Sequence, residues 1–94
     1  MICAVVGLTK AAALQYAKAG IRINVVAPAA IETDMFEAAT GGQDEAKAYL
    51  AGLHQIGRVG TPLEVANAVL FLSSDLASFT TGTTLMVDGG YVAQ

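Results

Sequence analysis

An α/β fold with parallel strands is what the chain predicts, on three observations. Two runs, residues 21–27 and 83–88, have strand character, the first through the β-branched Ile21, Ile23, Val25 and Val26. A strong helix start, Thr61-Pro62-Leu63-Glu64, stands between them, and strand–helix–strand implies parallel pairing through a right-handed crossover. Pro28 closes the first run and opens into the polar turn AAIETDM. Such a turn brings backbone groups and the Thr33 hydroxyl to the carboxyl end of a sheet, where ligands sit in open α/β folds.

The elements follow in order. Residues 4–19 read as a helix rich in alanine and leucine, with Gly20 placed to end it in the left-handed conformation. Thr9, Lys10, Gln15 and Lys18 make no wide solvated face, because Val5, Val6, Leu8, Ala12, Leu14 and Tyr16 spread around most of the cylinder. A helix of that kind is buried on two sides, one against strand 21–27 and the other against a further surface such as another subunit. In that strand Ile21, Ile23, Val25 and Ala27 share one face and Arg22, Asn24 and Val26 the other. Pro28 ends it, lacking the N–H a ladder needs.

Residues 36–60 are less regular. Gly41-Gly42 interrupts them, 44–55 form a short helix with Ala46, Tyr49, Leu50 and Leu53 on one face, and Gly57 and Gly60 loosen its exit. The pattern suits a mobile flap over the strand ends, or an ordinary surface helix. Thr61 then caps a helix over 63–72, with Pro62 at its first position and Glu64 completing a capping box. Val65, Ala66, Val69 and Leu72 face inward. Ser73-Ser74-Asp75 stops this helix and caps a turn through Phe79, Gly82 marks a tight turn before strand 83–88, and Gly89-Gly90 leads into the tail 91–94.

Composition narrows the function. The chain has 94 residues, enough for one domain, of which 54% are hydrophobic. A domain this small buries only about 60–65% of its unfolded surface, so apolar surface is left for a partner chain. The net charge is −3, and Lys10, Lys18, Arg22, Lys47 and Arg58 are scattered, which disfavours nucleic acid as a partner. The single cysteine, Cys3, excludes an internal disulfide and a cysteine-built metal site. It fits a reducing, cytoplasmic setting and reads as a small buried hydrophobe. No apolar run approaches the roughly 20 residues of a membrane span, and the opening MICAVVGL lacks the basic segment of a signal peptide.

With these residues in hand, the chain resembles the C-terminal part of a short-chain dehydrogenase/reductase. AVVGLTKAAALQYAKAGIRINVVAP resembles that family's central helix and following strand, and PAAIETDM its P-G-x-x-x-T segment, with Ala29 in place of the glycine. GRVGTPLEVANAVLFLSSDLASFTTGTTLMVDGGYVAQ resembles its last helix and strand. The resemblance implies the C-terminal portion of a Rossmann-like doubly wound parallel sheet, in the order helix, strand, flap helix, helix, strand. Residues 1–94 form one partial domain in that reading, with 36–60 a substrate-flap-like segment. It also implies an oxidoreductase that uses NAD or NADP. Carried over by position, Pro28, Ala29 and Ile31 line the nicotinamide, Thr33 hydrogen-bonds its carboxamide or a phosphate, and Met35 begins the flap. The alternative role for Thr33 is a helix N-cap.

The family's proton transfer uses a Y-x-x-x-K pair, in which lysine lowers the tyrosine's pKa. These 94 residues contain none. In register the lysine position is Ile2, and Tyr16, Tyr49 and Tyr91 have no lysine four residues on. No G-x-G-x-x-G phosphate loop is present either. Nothing obvious replaces this chemistry. His54 reads as an exposed bystander, Glu32 and Asp34 as solvated carboxylates, Asp88 as a turn former, and Lys10 and Lys18 as solvated. The expectation is a truncated oxidoreductase, inactive alone, that covers its apolar excess as a homo-oligomer through helix 4–19 and the C-terminal strand and tail. Two alternatives are a small homo-oligomeric binding or assembly module, and one half of a split oxidoreductase completed by a separate N-terminal half.

Overall fold

A computed structural model describes residues 2–93, and side chains from Cys3 onward. Met1, the Ile2 side chain and Gln94, which enter the readings of the opening segment, the lysine position and the tail, lie outside the described residues. The elements are α1 (Ile2–Tyr16), β1 (Val25–Pro28), α2 (Asp34–Thr40), α3 (Asp44–Gly52), α4 (Pro62–Ser73) and β2 (Thr84–Val87), with short 3₁₀ turns at Ala17–Ala19 and Asp75–Ala77. The two strands pair directly. The Val25 N–H donates to the Thr83 carbonyl and the Ala29 N–H to the Val87 carbonyl, so donor and acceptor advance together and the pair is parallel.

The chain divides into two compact units. The first comprises Met1–Ala27 and Asn67–Met86. Its buried apolar residues are Ala13, Val25, Ala27, Leu72 and Ala77, and Thr9 is buried too. Thr9 and Ala13 are one helical turn apart, so α1 buries a single stripe here, while Leu8 and Leu14 remain 72% and 83% exposed. The α-helix predicted over 4–19 ends at Tyr16 and tightens into the 3₁₀ turn Ala17–Ala19, which Gly20 closes at φ +80° as its position predicts. Cys3 is exposed, not the buried hydrophobe expected.

Strand β1 begins at Val25 and includes Pro28, so the predicted span 21–27 is corrected at both ends. Residues 21–24 have strand-forming side chains but no strand opposite them. Ile23 and Asn24 pair instead with the loop residues Thr80 to Thr83, where Gly82 turns at φ +74°. The Asn24 amide spans that loop, donating to the Thr80 carbonyl and accepting from the Thr83 N–H. Pro28 is tolerated because it is the last residue of the strand. Of the four residues of α4 predicted to face inward, only Leu72 is buried and Val69 is 47% exposed. A two-stranded sheet offers little surface for a helix to cover.

The second unit comprises Pro28–Ala66 and Val87–Gln94. Here Phe36, Thr40 and His54 are buried. The helix predicted over 44–55 ends at Gly52, and Tyr49, placed on one face with Ala46, Leu50 and Leu53, is 68% exposed. The capping box at α4 forms as the sequence predicts: the Glu64 N–H donates to Thr61 Oγ1 and the Thr61 N–H to Glu64 Oε1. Asp88 is a turn former, its carboxylate accepting from the N–H groups of Gly90 and Val92.

Candidate functional site

The segment after β1 is held by backbone bonds on both sides of Ile31. The Ala29 N–H carries the ladder one residue past Pro28, to the Val87 carbonyl at 3.2 Å. Ile31 and Gly60 then form an isolated parallel bridge. In it the Gly60 N–H donates to the Ala30 carbonyl at 3.0 Å and the Glu32 N–H to the Gly60 carbonyl at 2.8 Å. The approach is close, since a Cβ on Gly60 would lie 2.8 Å from Ile31 Cδ1. In a parallel bridge the central residue's own N–H and C=O face the opposite edge. There the Ile31 carbonyl accepts from the Thr33 hydroxyl at 3.3 Å. The Ile31 N–H has no partner among the described residues.

Thr33 is the N-cap of α2, its Oγ1 accepting from the Phe36 N–H at 3.3 Å. Phe36, 8% exposed, seats the first turn of that helix. Ala29, which stands where the family pattern has glycine, is not at positive φ, so alanine is accommodated without backbone strain. Pro28, Ala29, Ile31, Thr33 and Met35, the five residues predicted for the site, all line one open groove of about 680 Å³, together with Ala30, Asp34, Phe36, Ala39 and Leu50. Met35 is 82% exposed. The groove is chiefly apolar, and the polar side chains in its lining are those of Thr33 and Asp34.

His54 is not the exposed bystander expected; it is 5% exposed. Nδ1 lies 2.8 Å from the Leu50 carbonyl. A carbonyl only accepts, so Nδ1 carries the proton and Nε2 is free to accept from the Ala30 N–H, at 3.4 Å. Its ring centroid is 5.6 Å from that of Tyr91. A cavity of about 90 Å³, lined in part by Ala30, His54, Gly60, Glu64 and Asp88, adjoins this contact. No spacing rule in the sequence singles out His54, because both of its polar partners are backbone groups.

Arg58 makes a two-pronged contact with Glu64, at 2.8 and 2.9 Å. These bonds first, and the Thr61 N–H second, hold the Glu64 carboxyl at about 2, well below its usual 4.5. A carboxyl whose pKa is depressed by folding stabilises the fold above its unfolded value and loses that contribution as pH falls through the folded value. The window is therefore from about 4.5 down to about 2. Glu64→Gln should flatten this part of the acid-unfolding curve, followed by circular dichroism. An unchanged curve would show that the exposed pair is screened into irrelevance.

Comparisons with known proteins agree with this architecture. A family model described as enoyl-(acyl carrier protein) reductase matches residues 3–92. The 2,5-dichloro-2,5-cyclohexadiene-1,4-diol dehydrogenase of Sphingobium indicum is 47% identical over 90 residues, covering 96% of this chain and 36% of that protein. Among solved structures, ligand-free aldohexose dehydrogenase of Thermoplasma acidophilum superimposes with a TM-score of 0.91 at 41% identity, over 97% of this chain and 38% of that one. ElxO with NADP bound gives a TM-score of 0.86 at 40% identity, over 97% and 37%. The chain belongs to the short-chain dehydrogenase/reductase family and has the Rossmann-like α/β fold of its members. It spans about a third of the length of the curated relatives it matches.

Proposed function

We propose that residues 28–35 form the nicotinamide-side wall of an NAD- or NADP-dependent oxidoreductase site acting on a CH–OH group or its ketone. The observation that carries this is the unpartnered Ile31 N–H beside an apolar groove that gathers Pro28, Ala29, Ile31, Thr33 and Met35. A reduced nicotinamide is a nearly flat, uncharged ring bearing one amide, and such a groove with a free donor matches it. The bound cofactor supplies the hydride exchange. The chain's part is to orient it: Ile31 donates its N–H to a carboxamide or phosphate oxygen, and Thr33 can redirect the hydroxyl proton now on the Ile31 carbonyl. Residues 36–60, opening at Met35, serve as the flap on the substrate side. These 94 residues contain neither a Y-x-x-x-K pair nor a G-x-G-x-x-G loop, so the isolated chain is expected to bind cofactor weakly and to turn nothing over. Kinship to a relative determined with NADP bound supports the cofactor class.

The test is a titration of the ¹⁵N-labelled chain with NADH and NADPH. Amide shifts confined to residues 28–36, saturating near the millimolar range that a few contacts can support, are the expected result. No shift at about ten times that concentration would overturn the reading. The exposed Leu8 and Leu14 on α1, and Tyr91 and Val92 in the tail, favour a second element of the proposal. The chain associates in the cytoplasm, with further copies or with a separate N-terminal half, through helix 4–19 and the C-terminal strand and tail.

A further inference from the structure

We infer that His54 is a positioning residue for the cofactor wall, acting through the Ala30 N–H. The inference rests on the nicotinamide reading of residues 28–35 and adds to it the group that fixes their shape. Ala30 is gripped at both of its backbone groups: its carbonyl by the Gly60 N–H at 3.0 Å and its N–H by His54 Nε2 at 3.4 Å. Ala30 lies between Ala29 and Ile31, both of which line the groove. Two grips on one residue fix the orientation of the peptide planes on either side of it. The plane between Ala30 and Ile31 carries the Ile31 N–H, the unpartnered donor of the groove. Gly60 holds that plane directly through the Ala30 carbonyl, and His54 holds the plane before it, so His54 acts on the donor by fixing the Ala30 backbone between the two planes, without touching the groove itself.

The histidine is suited to this because it is itself fixed. The bond from Nδ1 to the Leu50 carbonyl, at 2.8 Å, settles the tautomer and leaves Nε2 as an acceptor. Tyr91 packs against the ring, 5.6 Å between centroids, and the residue is 5% exposed. Leu50 belongs to α3 and also lines the groove. One imidazole thus ties the flap helix to the wall, so that the two keep a common register.

Two amide variants separate the halves of the ring. In His54→Asn the side-chain NH₂ sits near the place of Nδ1 and can keep the Leu50 bond, but no atom reaches Ala30. In His54→Gln the side-chain oxygen sits near the place of Nε2 and can accept from Ala30. Both are compared with wild type for amide exchange at Ala30 and for NADH and NADPH affinity by ¹⁵N shift titration. The expected result is faster Ala30 exchange and about fivefold weaker cofactor binding in His54→Asn, with His54→Gln within about twofold of wild type on both readouts. A merely structural role would make the two variants alike in affinity, and that result overturns the inference. So does unchanged Ala30 exchange in His54→Asn. Should His54→Asn fail to fold, loss of affinity in a folded His54→Gln likewise overturns it, and retained affinity with a protected Ala30 supports it. If wild type binds neither cofactor, the reading of the wall has failed and the positioning role falls with it. If wild type binds and both variants bind equally, the wall stands and only the role of His54 has failed.

Discussion

Arg22→Met should destabilise the chain by about 2–3 kcal/mol in urea unfolding, the magnitude for losing several charge-assisted hydrogen bonds at a half-buried site. The guanidinium gathers three carbonyls, of which Ser74 also accepts from the Ala77 N–H and Thr80 from the Asn24 amide. Nη1 donates to Leu72 at 2.8 Å and to Thr80 at 3.3 Å, and Nη2 to Ser74 at 3.0 Å. Leu72 is the penultimate residue of α4 and Ser74 the residue just beyond it. A cation there meets the negative end of the helix and satisfies carbonyls the helix leaves over. Methionine keeps most of the aliphatic volume and removes the charge and every donor, leaving the Leu72 carbonyl to water and Ser74 and Thr80 with one donor each, Ala77 and Asn24. Arg22→Lys should fall in between, because an ammonium cannot fork to three acceptors. Equal stability of the Lys and Met variants would show that charge near the helix end is immaterial. A loss under about 0.5 kcal/mol for Met, the range of ordinary surface changes, would show that the clamp itself is.

What is legible in the sequence is local. The Thr61–Glu64 capping box, the left-handed Gly20 after the first helical stretch and the strand character of Val25 to Ala27 each depend on residues within a few positions of one another, and each forms as expected. The grouping of Pro28, Ala29, Ile31, Thr33 and Met35 is legible through kinship and through the proline-ended strand, and they do share one groove. The misreadings share a different cause. Residues 21–24 look like strand by composition, but pairing is decided by residues 56 to 59 positions away, which form a loop. Arg22 reads as a face-alternating polar residue because its acceptors lie 50 to 58 positions along the chain. His54 reads as exposed because nothing acidic stands at helical spacing. Its partners are carbonyl and amide groups, which leave no mark in side-chain pattern. Backbone acceptors are common to every residue, so a side chain recruited by them is invisible until the fold is known.

The glycines show the same distinction in energetic form. Gly89→Ala should cost about 2–3 kcal/mol, from two sources. Its φ of +57° is a left-handed conformation, worth about 1 kcal/mol against a residue with a Cβ. The added methyl would also stand 2.6 Å from Ile56 Cγ2 and 3.5 Å from His54 Cβ. Overpacking of that order adds about 1–2 kcal/mol. Relief is restricted, because the Ile56 N–H donates to the Gly89 carbonyl at 2.9 Å and holds the two segments together. Gly20→Ala is the control. Gly20 has φ +80°, but nothing lies within 4 Å of where its methyl would stand, so it should lose only the conformational part, about 1 kcal/mol. The difference between the two variants in urea unfolding isolates the steric part. Similar losses would mean that the Ile56 side chain rotates aside freely. A larger loss at Gly89, accompanied by faster exchange at Ala30, would show the strain passing through His54 into the turn that shapes the groove.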